Sequence, residues 1–177
     1  MEYYVIQVKT RGEGKYLKRA EQVLQCIDAK LLWPRRNLKI RRKGEWVNIV
    51  SPIFPNYLFL ETGQFNLYIF DSFKKIPGFY RFLQSNNNII SLSKGDKETL
   101  THFLSFGEIV DKSLVVFDEN NRIQVVSGPL KGMEGSIVKV DRRKGRVKVK
   151  LDLYKNSYLI DFGFEALDSI PDVDKPH

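Results

Sequence analysis

An α+β body with an antiparallel sheet flanked by helices, followed by a small all-β barrel, is the fold class this sequence predicts. Three observations carry it. The apolar period changes from three-to-four residues to two at about Leu114. Residues 107–121 hold one basic against four acidic residues, net −3, between two basic stretches. Residues 1–106 carry 17 Lys+Arg against 9 Asp+Glu, and residues 122–170 carry 10 against 6. At 177 residues the chain has room for one medium domain or two small ones. We therefore expect a first domain over 1–106, an acidic linker over 107–121, a β-barrel over 122–170 and a tail over 171–177.

The elements follow in order. "YYVIQVKT" alternates aromatic and β-branched residues and reads as a strand. After Gly12 and Gly14, the residues Tyr16, Leu17, Ala20, Val23, Leu24 and Ile27 recur at helical spacing, with charged residues on the other face. Cys26 falls on that stripe and reads as buried filler. Trp33-Pro34 and the basic segment "RRNLKIRRKGEW" precede a second strand, "NYLFLE". Phe65, Ile69, Phe73 and Ile76 form another helical stripe, and Ser93 with Asp96 is spaced as a capping box opening a third helix.

In the second half, Val147, Val149, Leu151 and Leu153 alternate with Arg146, Lys148, Lys150 and Asp152, a half-buried strand with a charged outer face. "RIQVV", "SIVKV" and "SYLIDF" are further short strands split by turn residues. Several strands in some 50 residues without a helix predict a barrel, which closes its own edges.

Catalysis finds little support. "SGPLKGMEGS" lacks the Gly-Lys-Ser/Thr end of a phosphate loop and runs into a strand rather than a helix. His102 and His177 stand far apart, no Cys/His metal set or paired carboxylates stand out, and we expect no enzyme, no cofactor and no metal. The tripeptide inside "DFGFE" has no glycine-rich loop or lysine context to make it catalytic. No apolar run approaches a membrane span, no secretory signal is visible, and one cysteine precludes an internal disulfide, which favours a cytoplasmic address. The formal charge of +8 favours polyanionic partners.

"VVSGPLKGMEGSIVKVDRRKGRVKVKL" resembles a KOW motif. "YYVIQVKTRGEGKYLKRAEQVL" resembles the opening of the NusG amino-terminal (NGN) domain, "PIFPNYLFLE" its Phe-Pro-Gly-Tyr-Val signature and "IPGFYRFL" its Pro-Gly-Val…Phe segment. The ordered set spans nearly the whole chain, which thus resembles a NusG-family transcription elongation factor: an NGN domain followed by an SH3-like KOW barrel. Asn56 stands where the signature has glycine; asparagine is the next-best residue for positive φ, so the turn should survive. The "PNYLF" wording and the basic second hairpin are similar to specialised paralogues of the LoaP-like branch.

The resemblance implies binding to the clamp helices of RNA polymerase, at positions matching Tyr3, Tyr4, Ile53, Phe54, Pro55, Tyr57 and Phe79. It implies phosphate contacts to upstream DNA from Arg35, Arg36, Lys39, Arg41, Arg42 and Lys43 on a hairpin arm. For the barrel it implies a specific partner, which we expect to be nascent leader RNA in hairpin form. The residues for it are Lys131, Arg142, Arg143, Lys144, Arg146, Lys148 and Lys150, with Tyr154 and Lys155 in a loop that stacks a base or meets protein. Two alternatives stay open: a housekeeping factor whose barrel recruits Rho or a ribosomal protein, and a ribosome-associated KOW RNA-binding protein. The expected state is a monomer away from membranes.

Overall fold

The computed structural model describes residues 1–168; the expected tail 171–177 and His177 lie outside them. In chain order the strands of the first half are β1 (Glu2–Val8), β2 (Ala29–Leu32), β3 (Arg35–Arg42), β4 (Glu45–Pro52), β5 (Tyr57–Thr62), β6 (Phe79–Phe82), β7 (Gln84–Ser85) and β8 (Asn88–Ile89). Three helices are interleaved with them: α1 (Glu13–Leu24), α2 (Leu67–Lys74) and α3 (Lys94–Leu104). The second half holds β9 (Ile109–Val110), β10 (Ser113–Phe117), β11 (Ile123–Ser127), β12 (Ile137–Asp141), β13 (Arg146–Leu153) and β14 (Asn156–Ala166). Two compact units emerge. One is Met1–Arg35 with Pro52–Leu104; the other is Arg36–Ser51 with Ser105 onward.

The first unit is built on an antiparallel sheet of order β2-β5-β1-β6. Its register sets Ile6 opposite Leu58 and Tyr4 opposite Leu60, so those side chains share one face. Onto that face Tyr16 and Ala20 of α1 and Ile69 and Phe73 of α2 pack in one apolar cluster. The stripe spacing read from the sequence is what brings them inward. Asn66 caps α2 by accepting the Ile69 N–H at 3.0 Å, and Ser93 Oγ accepts the Asp96 N–H at 3.2 Å at the start of α3. Val5 and Phe59, one register step round, are fully buried too, so both faces of the sheet are covered.

α1 stops at Leu24, with Gln25 as its cap, two residues before Ile27. Cys26 is therefore past the helix and exposed, not the buried filler that an unbroken stripe implied; its thiol reaches only the Gln22 carbonyl, at 3.7 Å.

The second unit contains a five-stranded sheet of order β11-β10-β14-β13-β12, in which β10 runs parallel to β14 and the other neighbours are antiparallel. Val147, Val149, Leu151 and Leu153 all point inward from β13, as their alternation requires. The stretch 107–121, expected as a linker, supplies β9 and β10 instead: "SLVVF" buries Ser113, Val115 and Val116 in this sheet. Acidic residues flank a four-residue apolar run, Leu114–Phe117, that forms the strand's centre. The hairpin β3–β4 also belongs here, with β3 hydrogen-bonded between β4 and β9. Arg36 and Leu38 are buried, and the Arg36 guanidinium donates to the Asp161 carbonyl while Arg146 donates to that of Lys39.

No helix among the described residues is long and apolar enough to cross a membrane.

Candidate nucleic-acid interface

The basic turn between β12 and β13 is shaped by its own first residue. Asp141 Oδ1 accepts the N–H of Lys144, three residues on, at 3.0 Å, and Gly145 closes the turn with φ +59° and a 3.2 Å bond to the Arg142 carbonyl. That backbone N–H, aided by the charges of Lys144, Arg143 and Lys139, holds the Asp141 carboxyl below its ordinary range. The Lys144 ammonium also pairs with Asp141 Oδ2 at 3.7 Å, so the carboxylate gathers the turn around itself. All three of Arg142, Arg143 and Lys144 are exposed.

Their roles differ. Arg142 lies 4.0 Å from the Phe117 ring centroid and donates to Asn121 Oδ1 at 2.7 Å, so its guanidinium is held flat with its charge outward. Lys148 pairs with Asp161 at 2.9 Å, which neutralises much of its pull on a distant phosphate. Arg146 is half-buried and ties the hairpin through Lys39. Lys131 Nζ donates to the Val125 carbonyl at 2.9 Å. Lys150 is exposed on the outer face of β13. Tyr154 and Lys155 form the two-residue link to β14, with φ of +49° and +65°.

Of the hairpin cations, Arg36 is 8% exposed, and burial, with Arg146 nearby working against Asp161, pushes its guanidinium down to about 10. It stays charged at pH 7 but faces no solvent. Lys39, Arg41, Arg42 and Lys43 are exposed. In the first unit Arg35 stacks on Trp33, 4.6 Å from its ring centroid.

One groove of about 440 Å³ in the second unit gathers Lys39 and Trp46 of the hairpin with Lys112, the Arg142–Gly145 turn and Gly163–Ala166. Trp46 and Lys112 were not singled out from sequence; the hairpin's docking on the barrel, invisible to local patterning, puts them there.

In the first unit the expected polymerase-facing residues separate by burial. Tyr3, Ile53 and Phe54 are buried, Tyr4, Tyr57 and Phe79 are half-buried, and Pro55 is exposed. Tyr4 meets Phe65 at 4.6 Å and Phe79 meets Phe82 at 5.6 Å between ring centroids. The turn before β5 has Asn56 at φ +70°, with Tyr57 N–H bonded to the Phe54 carbonyl at 3.2 Å; asparagine does take the left-handed place. Buried Glu13 accepts the Asn56 N–H at 2.8 Å, and the Asn56 carbonyl accepts from Val8 at 2.9 Å. The signature loop is thus clamped from α1 and β1. Among the described residues no cluster of three or more His, Cys, Asp or Glu could hold a metal.

Comparison with known proteins agrees with this anatomy. The family model described as "Transcription termination factor nusG" matches residues 1–101, and the KOW motif model matches residues 119–150. The Bacillus subtilis transcription termination/antitermination protein NusG is 20% identical over 175 residues, covering 95% of this chain and 98% of that protein. The NusG of Borreliella burgdorferi is 24% identical, with 95% and 98% covered. A solved structure titled "Domain interaction in Thermotoga maritima NusG" superposes with a TM-score of 0.56 at 17% identity, covering 92% of this chain and 93% of that one, which shows a shared fold. With its amino-terminal domain matched end to end and a KOW barrel behind it, the chain belongs to the NusG family of transcription termination/antitermination factors, binding proteins rather than enzymes.

Proposed function

We propose that this chain is a processive antitermination factor of the LoaP-like kind, a monomer acting in the cytoplasm. It holds the clamp helices of RNA polymerase through its NGN domain and nascent leader RNA, in hairpin form, through its KOW barrel. The carrying observation is the turn at 142–144: three adjacent exposed cations presented around a carboxylate that backbone hydrogen bonding keeps ionised. Such a turn suits the closely spaced phosphates of an A-form groove, where recognition is by shape and backbone. On the first unit Pro55, Tyr57, Tyr4 and Phe79 keep surface to offer, on a loop whose backbone Glu13 fixes, and rigid aromatics make good interface anchors. Tyr3, Ile53 and Phe54 are buried and anchor their own segments in the core. The exposed Arg41, Arg42 and Lys43 suit sequence-independent phosphate contact with upstream DNA.

The test is transcription in vitro with purified bacterial RNA polymerase on templates carrying a leader hairpin upstream of an intrinsic terminator. Added protein should raise readthrough; deleting the hairpin, or Arg143→Gln with Lys144→Gln, should abolish the rise. Tyr57→Ala should abolish it on every template. Readthrough indifferent to the leader would contradict RNA direction and favour a general factor whose barrel recruits Rho or a ribosomal protein. No effect on polymerase would favour a ribosome-associated role.

A further inference from the structure

We propose that the groove shared by the β3–β4 hairpin and the barrel takes one unpaired nucleobase of an RNA strand, stacked on Trp46, with flanking phosphates on Lys39, Arg143 and Lys144. This deepens the RNA reading above and rests on it.

Trp46 is the starting point. It is 45% exposed on β4, an arm whose other strand is fixed to the barrel by buried Leu38 and by the Arg36–Asp161 and Arg146–Lys39 hydrogen bonds. The indole is therefore presented from a rigid support into a concave wall. At about 440 Å³ the groove is in the range of small-ligand sites and accommodates a nucleoside with neighbouring phosphates. Part of its wall is Gly145 and Gly163; a Cβ at Gly163 would lie 3.0 Å from the Lys112 side chain, so the missing side chain is what lets Lys112 lie along the groove.

Charge decides the kind of occupant. Five cations line the groove against one carboxylate, Glu165, which Lys112 already pairs at 3.8 Å. Arg142 is engaged with Phe117 and Asn121 and serves as fixed background potential. Lys39 and Arg143 make no ion pair among the described residues and are available to phosphates, and Lys144, paired with Asp141 at 3.7 Å, is exposed enough to exchange that partner for one. A positively charged groove beside an aromatic face is the arrangement by which single strands are held, since every base has a π-face and stacking tolerates sequence. A base inside a duplex has both faces occupied and cannot use Trp46. The unpaired base of a hairpin loop or bulge can.

The experiment is fluorescence anisotropy of the full chain with three labelled probes: a 12-nucleotide oligo(U), a stem–loop closed by a uridine loop, and the blunt duplex of that stem. Oligo(dT) of the same length serves as the DNA arm. Trp46→Ala should weaken oligo(U) and stem–loop binding on the order of ten- to a hundredfold while leaving the duplex and the salt slope unchanged. Trp46→Phe should keep most of the affinity, which separates stacking from any defect in folding. Arg143→Gln with Lys144→Gln should instead lower the salt slope by about 1.4, at about 0.7 per phosphate. In a Trp33→Phe background, Trp46 emission should be quenched by oligo(U). If Trp46→Ala binds every probe like the parent while the charge variant is weakened, the stacking site is wrong and RNA binding by the barrel stands. Flat titrations with all probes overturn both and leave the groove to an acidic protein segment. Tighter binding of oligo(dT) than of oligo(U) overturns the assignment to RNA.

Discussion

Three glycines in "SGPLKGMEGS" allow two kinds of constraint to be measured apart. At Gly128 φ is +98°, and a Cβ would lie 2.7 Å from Ser113 Cα and 2.8 Å from its Oγ. That hydroxyl, fully buried, accepts the Leu130 N–H at 2.9 Å and so ties the turn to β10. At Gly132 φ is +82°, but a Cβ would meet nothing within 4 Å. Gly135 has neither a left-handed backbone nor a neighbour within 4 Å. A left-handed backbone costs an L-residue about 1–2 kcal/mol. Forcing a methyl against buried backbone adds about 1–3 kcal/mol, and the displaced Ser113–Leu130 bond about 1 kcal/mol more. Gly128→Ala should thus cost about 3–6 kcal/mol, Gly132→Ala about 1–2, and Gly135→Ala nothing or a gain of up to about 1 kcal/mol from a stiffer unfolded chain. For a body of this size each kcal/mol moves the transition by about 4–8 °C, so Gly128→Ala lowers it by more than about 12 °C. Calorimetry, with Trp46 emission in a Trp33→Phe background following the second unit alone, reads the order. Equal losses at Gly128 and Gly132 would refute the close-approach argument; no loss at Gly128 would refute the backbone argument as well.

Other outcomes follow from single contacts. The Tyr16 hydroxyl donates to the Phe73 carbonyl at 2.8 Å, and burial pushes its phenol well above the ordinary 10.0. The unfolded chain releases that proton above pH 10 and the native one keeps it, so this contribution is whole below pH 10 and fades as pH rises further. Tyr16→Phe should cost about 1 kcal/mol at pH 7 and flatten the alkaline loss of stability, read as unfolding midpoints from pH 7 to 11; an unchanged slope would contradict it. Glu13→Ala strands the Asn56 N–H and should cost about 1–3 kcal/mol in denaturant titrations, while Glu13→Gln, which keeps an acceptor, should cost less; equal effects would refute the clamp. Lys155→Gly relieves a positive φ in the β13–β14 link and should raise the melting temperature of the second unit by an amount worth about 1 kcal/mol; a lowered melting temperature would show that the side chain stabilises the turn.

What the sequence made legible was local. Alternation in 146–153 dictated the burial of β13 residue by residue, the helical stripe placed Tyr16 and Ala20 inward, and asparagine's tolerance of positive φ foretold the turn at Asn56. Long-range contacts were not legible. β2, only four residues long, gains its stability from pairing with β5. β10 was hidden by acidic neighbours because charge at a strand's ends says nothing of its apolar centre. Above all, Arg36 and Arg146 sit in runs of cations that look alike in sequence, yet both are spent on holding the hairpin to the barrel. Arg143 and Lys150, two residues of the same kind, face solvent. Only the fold separates structural cations from available ones, and the groove around Trp46 exists because of the first kind.

The central claim is that the exposed cations of the barrel engage RNA phosphates. Its most direct measurement is the salt dependence of full-chain binding to a stem–loop RNA, for the parent and for Arg143→Gln, Lys144→Gln and Lys150→Gln combined, three exposed charges of which only Lys144 is paired, within its own turn to Asp141. The account predicts a log–log slope shallower by about 2 in the variant, at about 0.7 per phosphate lost, with an unchanged melting temperature. An identical slope in both proteins would contradict it.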